Sequence, residues 1–295
     1  MIAHKFRADL LLMLTALIWG AAFVAQRMGM EHVGPFTFNG VRFALGALAL
    51  QPLIWKMQQT RTREGGRPGL ETGRILRYGL LAGCVLFAGA ALQQVGIVYT
   101  TAGKAGFITG LYVVMVPLFG LALGNRAGAG TWVGALAAAV GLYLLSVNED
   151  FTIAYGDVLE LIGAVFWAGH VLLISRLSPG MDGTDAVKLA AAQFVVCSLL
   201  SLGAGVAVES ITLAGLTGAA VPILYGGLMS VGVAYTLQVV AQRDANPAHA
   251  AIILSLEAVF AAVAGYFVLG KVLAARALLG CALMLGGMLL SQLKP

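Results

Sequence analysis

Residues 17–24 read LIWGAAFV and residues 165–172 read VFWAGHVL, which sets Trp19 against Trp167. Two further echoes follow in the same order. VRFALGAL at 41–48 answers AQFVVCSL at 192–199, placing Arg42 opposite Gln193, and ALQQVG at 91–96 answers TLQVVA at 236–241, placing Gln93 opposite Gln238. The offsets are 167 − 19 = 148, 193 − 42 = 151 and 238 − 93 = 145, differences that loops of unequal length would absorb. The chain therefore reads as two copies of one five-helix design, a first repeat over 1–148 and a second over 149–295.

Composition says what each copy is made of. The 295 residues are 60% hydrophobic and 11% charged, with 39 glycines, which no ordinary water-soluble domain shows. A helix needs about 20 apolar residues to cross roughly 30 Å of hydrocarbon. Ten such stretches are predicted, at about 10–28, 35–55, 78–99, 102–123, 131–147, 157–175, 186–208, 220–241, 247–269 and 274–293. Five spans per copy is an odd number, so the second copy enters the bilayer from the side opposite to the first. The expected fold class is thus all-α integral membrane, ten transmembrane helices as a 5+5 inverted repeat around a central cavity, an architecture that builds a site near the midplane. The segment 56–77 and a few turns are all that remains outside, too little for a soluble catalytic domain. The first apolar stretch follows His4, Lys5 and Arg7 but is long and shows no evident cleavage site, so it reads as a retained helix.

The net charge of +5 is informative through its placement. With the amino terminus inside, Lys5, Arg7, Lys56, Arg61, Arg63, Arg67, Arg74, Arg77, Arg126, Arg176, Lys188, Arg243 and Lys294 fall on the cytoplasmic side, and only Arg27, Lys104, Lys271 and Arg276 outside. Both termini are then cytoplasmic and the acidic turn Asn148-Glu149-Asp150 is external. The basic balance reports topology and anionic lipid contact, with no nucleic-acid partner expected. Cys84, Cys197 and Cys281 lie singly in apolar spans, so neither disulfides nor a metal site is expected. The stretches TAGKAG at 101–106 and GNRAGAG at 124–130 lack the spacing of a phosphate loop, and no HExxH, GxSxG or paired aspartates occur, so no cofactor and no enzyme chemistry are expected. Small residues instead suit close helix packing: Ala102, Gly106 and Gly110 form one ridge and Gly134, Ala138 and Leu142 part of another, and Gly134 and Gly280 offer a homodimer contact through the fifth and tenth spans.

Candidate site residues are the polar and aromatic groups at mid-span. Glu257 sits in AIILSLEAVFAAV at 251–263, where a charge at the bilayer centre costs on the order of 3 kcal/mol and so must face protein or water. It reads either as a cavity carboxylate that attracts a substrate ammonium or exchanges a proton with it, or as a helix staple to a group such as Arg42, and helical spacing aligns it with His249, Ile253 and Ala261. Trp19 and Trp167 lie at matching mid-span positions, unlike Trp55 and Trp132 near helix ends, and read as opposite walls of one chamber or as core fillers. Phe23 and Gln26 continue the Trp19 face, and His170 follows Trp167, more simply a hydrogen-bonded packing residue than a proton carrier. Gln93, Gln94 and Gln238 offer uncharged hydrogen bonds to a zwitterion or bridges between helices, and Tyr112 and Tyr235 are half-polar wall residues. Arg42 reads as a packing residue able to snorkel and is left outside the site. Pro117 is the expected hinge, whereas Asn246-Pro247 reads as a helix N-cap.

IWGAAF at the start, VRF in the second span, VYTTAGKAGFITGLYVVMVPLF at 98–119 and AQRDANPAHAAIILSLEAVFAAVAGYFVLG at 241–270 together resemble the EamA-type members of the drug/metabolite transporter superfamily over nearly the whole chain. The resemblance implies spans 1, 3, 4, 6, 8 and 9 around the cavity, spans 5 and 10 at the periphery, and export of metabolites such as amino acids. The chain departs from the usual pattern with LGN at 123–125, LGK at 269–271 and LEA at 256–258. The expected function is inner-membrane export of amino acids or similar small zwitterions by alternating access, with organic-cation drugs or nucleotide sugars and phosphates as the alternative cargoes.

Overall fold

The computed structural model describes residues 2–64, 69–100, 102–147, 153–269 and 274–293. Residues 148–150, Arg67, Lys271 and Lys294, used above for orientation, lie outside these, as does most of LGK. Helices account for the described fold: α1 (Ile2–Gly29), α2 (Pro35–Arg63), α3 (Thr72–Tyr99), α4 (Ala102–Gly110), α5 (Tyr112–Ala122), α6 (Ala129–Ser146), α7 (Tyr155–Leu177), α8 (Gly183–Val208), α9 (Leu213–Gly218), α10 (Ala220–Leu224), a π-helix (Tyr225–Tyr235), α11 (Thr236–Ala241), α12 (Pro247–Leu254), α13 (Glu257–Leu269) and α14 (Ala275–Leu293). Seven segments among the described residues are long and apolar enough to cross a bilayer: Phe6–Gly29, Thr72–Tyr99, Lys104–Ala122, Ala129–Ser146, Tyr155–Leu177, Gly183–Val208 and Ala220–Ala241. Pro247–Val263 and Ala275–Ser291 are shorter apolar helices. α2 has the length, but Asn39, Arg42 and Gln51 dilute its hydropathy.

Contacts at the helix ends sort into two groups. At one end of the bundle, Arg61 on α2 pairs with Asp182 at 3.0 Å and Asp185 at 3.2 Å before and within α8, Arg176 donates to the Leu123 carbonyl at 2.8 Å, and His249 meets Asp9 at 3.1 Å. At the other, the Arg27 guanidinium donates to the Ile97 carbonyl at 2.8 Å, Lys104 approaches Asp157 at 3.7 Å, and the Glu209 carboxylate accepts the Phe36 and Thr37 amides at 2.8 Å each. That last contact caps α2, whose first turn opens with Pro35 and has no capping side chain of its own. Asn246 caps α12, accepting from the Ala248 amide at 2.9 Å with Pro247 in the first turn, as the sequence implies.

Packing runs mostly between the chain's halves. α2 lies on α8, α3 on α7 and α8, α1 on the π-helix and α13, and α6 on α14. The last pair is a close approach: a Cβ on Gly134 would fall 2.5 Å from the Gly287 carbonyl oxygen and one on Gly280 2.6 Å from that of Gly141. Gly134 and Gly280, expected to serve a contact between copies, are thus used inside the chain, because only a missing side chain lets two backbones come this near.

Three spans depart locally from the regular α-helix. The fourth breaks at Leu111, where the Leu111 and Val114 amides reach back three residues, to Ile108 and Leu111, at 3.2 and 3.0 Å. α5 then runs straight through Pro117, so the expected hinge lies about a turn and a half earlier than proline suggests. The ninth breaks at Ser255–Leu256, with the Leu256 amide on Ile253 at 3.1 Å and the Ser255 hydroxyl on the Ile252 carbonyl at 2.8 Å. The break separates the expected stripe of His249 and Glu257, and His249 turns instead to Asp9 and, at 2.8 Å, Ser291. In the eighth, eleven residues from Tyr225 are wound as a π-helix.

Candidate functional site

The two breaks fall at equivalent places, since 256 − 111 = 145 is the offset that pairs Gln238 with Gln93. Each starts a half-helix with a polar side chain, Tyr112 at the head of α5 and Glu257 at the head of α13. Backbone that leaves the regular helical ladder at mid-span is tolerated where it lines a cavity or meets protein. A cavity lies there. Water-sized spheres can occupy about 40 Å³ of it, which at roughly 10–15 Å³ each is room for about three waters and far below the ~300 Å³ of a typical ligand pocket.

Aromatic rings make one wall. Trp19 and Tyr235 stand 4.5 Å apart between centroids, and Trp167 stacks on Tyr235 at 6.0 Å and 23°. Phe43 and Phe194 back Tyr235 at 5.9 and 6.1 Å. The Trp19 indole donates to the Ser230 carbonyl of the π-helix at 3.2 Å, which fixes its ring. Of the residues the sequence nominated, Trp19, Phe23, Gln93, Tyr112, Trp167, Tyr235, Gln238 and Glu257 all line the cavity.

Two nominated residues do not. His170 is fully buried behind Trp167, its Nε2 held 2.9 Å from the Gln193 carbonyl oxygen, and Gln94 donates to the Gln26 carbonyl at 3.4 Å. Both are polar links between helices, the plainer of the readings open to them. Arg42 reverses its expectation: it is 2% exposed, does not snorkel, and lines the cavity with its guanidinium over Phe38 and Phe43 at 5.4 and 5.1 Å. α2 packs deep against α8 and the π-helix, so the arginine has no route to a polar surface.

Charge and hydrogen bonding complete the site. Arg42 and Glu257 share the cavity, and among the described residues neither has an ion-pair partner. Buried polar atoms without a partner concentrate here too: Gln26 Oε1, Arg42 Nε, Tyr112 Oη, Trp167 Nε1 and Gln238 Oε1. Each such atom costs about 1–3 kcal/mol unless a ligand or water meets it. Thr109 and Ser230 also line the cavity, and Gln93 donates to the Thr109 hydroxyl at 3.2 Å, which donates to Glu160 at 2.9 Å. Glu160 was legible by the rule that singles out Glu257, an ionisable group inside an apolar span, yet the stronger signal of Trp167 beside it drew the reading.

A hydrophobic helical bundle whose locally distorted helices meet at a polar chamber lined by an arginine and a glutamate defines a multi-pass integral membrane protein of the transporter class. Residues 6–147 and 154–293 each match the EamA-like transporter family. The chain belongs to that family. An uncharacterized transporter of Archaeoglobus fulgidus is 34% identical over 271 residues, 91% of this chain and 80% of its own length. The uncharacterized inner membrane transporter YedA of Escherichia coli K12 is 28% identical over 79% of this chain and 73% of its own, and the uncharacterized transporter YwfM of Bacillus subtilis 26% identical over 97% and 94%. A solved crystal structure superposes with a TM-score of 0.76 over 97% of this chain and 96% of that one at 17% identity, which shows a shared fold.

Proposed function

We propose that this transporter carries amino acids or closely similar small zwitterions, and that it does so by alternating access of two antiparallel five-helix repeats. The observation that carries the substrate class is the pair Arg42 and Glu257, one buried guanidinium and one buried carboxyl group with no ion-pair partner among the described residues, on one cavity. An α-carboxylate on the guanidinium and an α-ammonium on the carboxylate would satisfy both charges at once, with the side chain against Trp19, Tyr235 and Trp167. An organic cation would leave Arg42 facing like charge, and a sugar phosphate would do the same to Glu257. The repeat reading is supported by the paired packing: α3 against α7 and α8 has its counterpart in the π-helix against α1 and α2, and α4 and α5 against α7 in α12 and α13 against α1.

In this reading export from the cytoplasm through an inner membrane rests on the family resemblance alone, and the cytoplasmic placement of both termini on the distribution of Lys and Arg. A homodimer would have to use the outer faces of α6 and α14, where Leu136 and Leu289 are exposed, since the glycines are taken. Purified protein in liposomes, offered labelled amino acids, organic cations and sugar phosphates, tests the reading. Amino acids are expected to move and the others not. Transport of quaternary ammonium compounds alone would overturn it.

A further inference from the structure

A second carboxyl group lies near the cavity without lining it. Glu160 of α7 is fully buried, and its Oε2 accepts from Thr109 at 2.9 Å while its Oε1 has no partner. The space for it is made by α3: a Cβ on Gly96 would stand 3.0 Å from both its Cγ and its Oε1. The groups facing it are Gln93 and Gly96 from α3, Thr109 from α4 and, one turn away on its own helix, Asp157. Lys104 of α4 is engaged by Asp157 at 3.7 Å, and among the described residues no cation reaches ion-pair distance of Glu160. A helix staple would need only an amide or hydroxyl here. A carboxylate with one oxygen orphaned, no cation and a like charge a turn away is among the dearest groups to bury ionised, so the environment suits the neutral acid.

We propose that Glu160 is a proton-binding site, separate from the substrate's Glu257, that exchanges with the cavity through the hydroxyl of Thr109. Thr109 lines the cavity and donates to Glu160, so it links the two. In the exchange the Glu160 O–H bond breaks as its proton passes to the Thr109 oxygen, and the proton Thr109 held passes to a water in the cavity. Glu160 is left a carboxylate, accepting from a hydroxyl that has been renewed. The reverse sequence reloads it. One turn on, Asp157, Thr100 and Lys104 continue the polar line to the helix ends, a second exit for the proton once the cavity closes. The proposal deepens the transport reading by assigning the ion to Glu160 and the substrate ammonium to Glu257.

Liposomes holding the full chain separate the two roles. Glu160→Gln is expected to lose accumulation driven by a pH gradient, and the accompanying proton movement seen by an entrapped pH dye. Gradient-driven accumulation equal to wild type would overturn the proposal. Infrared spectroscopy of Glu257→Gln gives a readout that needs neither transport nor a folded Glu160 variant. The carbonyl band of a neutral carboxylic acid should persist at neutral pH and vanish as pH rises. Its absence at neutral pH would likewise overturn the proposal. If no amino acid moves in any variant but the band is present, the substrate reading fails and the proton site stands.

Discussion

Replacing Arg42 by glutamine removes the guanidinium while keeping a polar side chain of some length beneath Gly226. In the wild type the guanidinium is 2% exposed and has no carboxylate partner, so a substrate carboxylate would gain a charge-assisted bond with little competition from water. Such bonds are worth about 1.5–3 kcal/mol, and 1.4 kcal/mol is tenfold in affinity. The apparent KM for a transported amino acid is therefore expected to rise roughly 10- to 150-fold. The amine made by removing that amino acid's carboxylate never used Arg42, so its transport should be unaffected or improved. Glu257→Gln should give the mirror result, a loss for the amino acid that is absent for its deaminated acid. Initial rates in liposomes, with thermal melts confirming the fold, measure both. If Arg42→Gln weakened amino acid and amine alike, the arginine would be a support for Phe38 and Phe43 and the zwitterion argument would fail.

Trp167→Ala should reduce amino-acid uptake more than Trp167→Phe, since the ring stacked on Tyr235 at 6.0 Å adds ~0.5–1.5 kcal/mol beyond its area; equal rates in both variants would return the indole to packing. Gly287→Ala forces a Cβ to within 2.5 Å of the Gly134 carbonyl and should lower stability by about 1–3 kcal/mol, whereas Gly286→Ala, with nothing within 4 Å, should melt like wild type in detergent. Asp182 carries a pH dependence. Burial raises its pKa, but the Asp185 amide and Arg61 outweigh this and hold it below the usual carboxylate range. A depressed folded value means the contribution is complete above the unfolded pKa near 3.9 and is lost as pH falls through the folded one. Asp182→Asn should accordingly flatten the acid limb of stability in a melt series, and an unchanged limb would count against it.

The bundle was legible because hydrocarbon runs of membrane length are hard to mistake, and the order of the echoes located the paired tryptophans and glutamines. The helix interruptions were not legible. Leu111 and Leu256 are good helix formers, and beside Leu256 the Ser255 hydroxyl takes the Ile252 carbonyl in place of the ladder bond that a sequence pattern assumes. Pro117, the obvious breaker, is accommodated in α5 because its lost bond is local and its helix is packed on α7. Arg42 was misjudged for the opposite reason. A cation near a span's end commonly snorkels, and only the depth to which α2 is enclosed removes that option.

The central claim is that the two halves cross the membrane in opposite directions around the cavity. Arg7 and Tyr155 occupy equivalent places, 155 − 7 = 148, and both are exposed. In a chain with Cys84, Cys197 and Cys281 replaced, Arg7→Cys and Tyr155→Cys can each be challenged with a membrane-impermeant thiol reagent before and after the membrane is opened. Tyr155→Cys is expected to react in intact cells and Arg7→Cys only after opening. Reaction of both from the same side would contradict antiparallel repeats and the alternating-access scheme built on them.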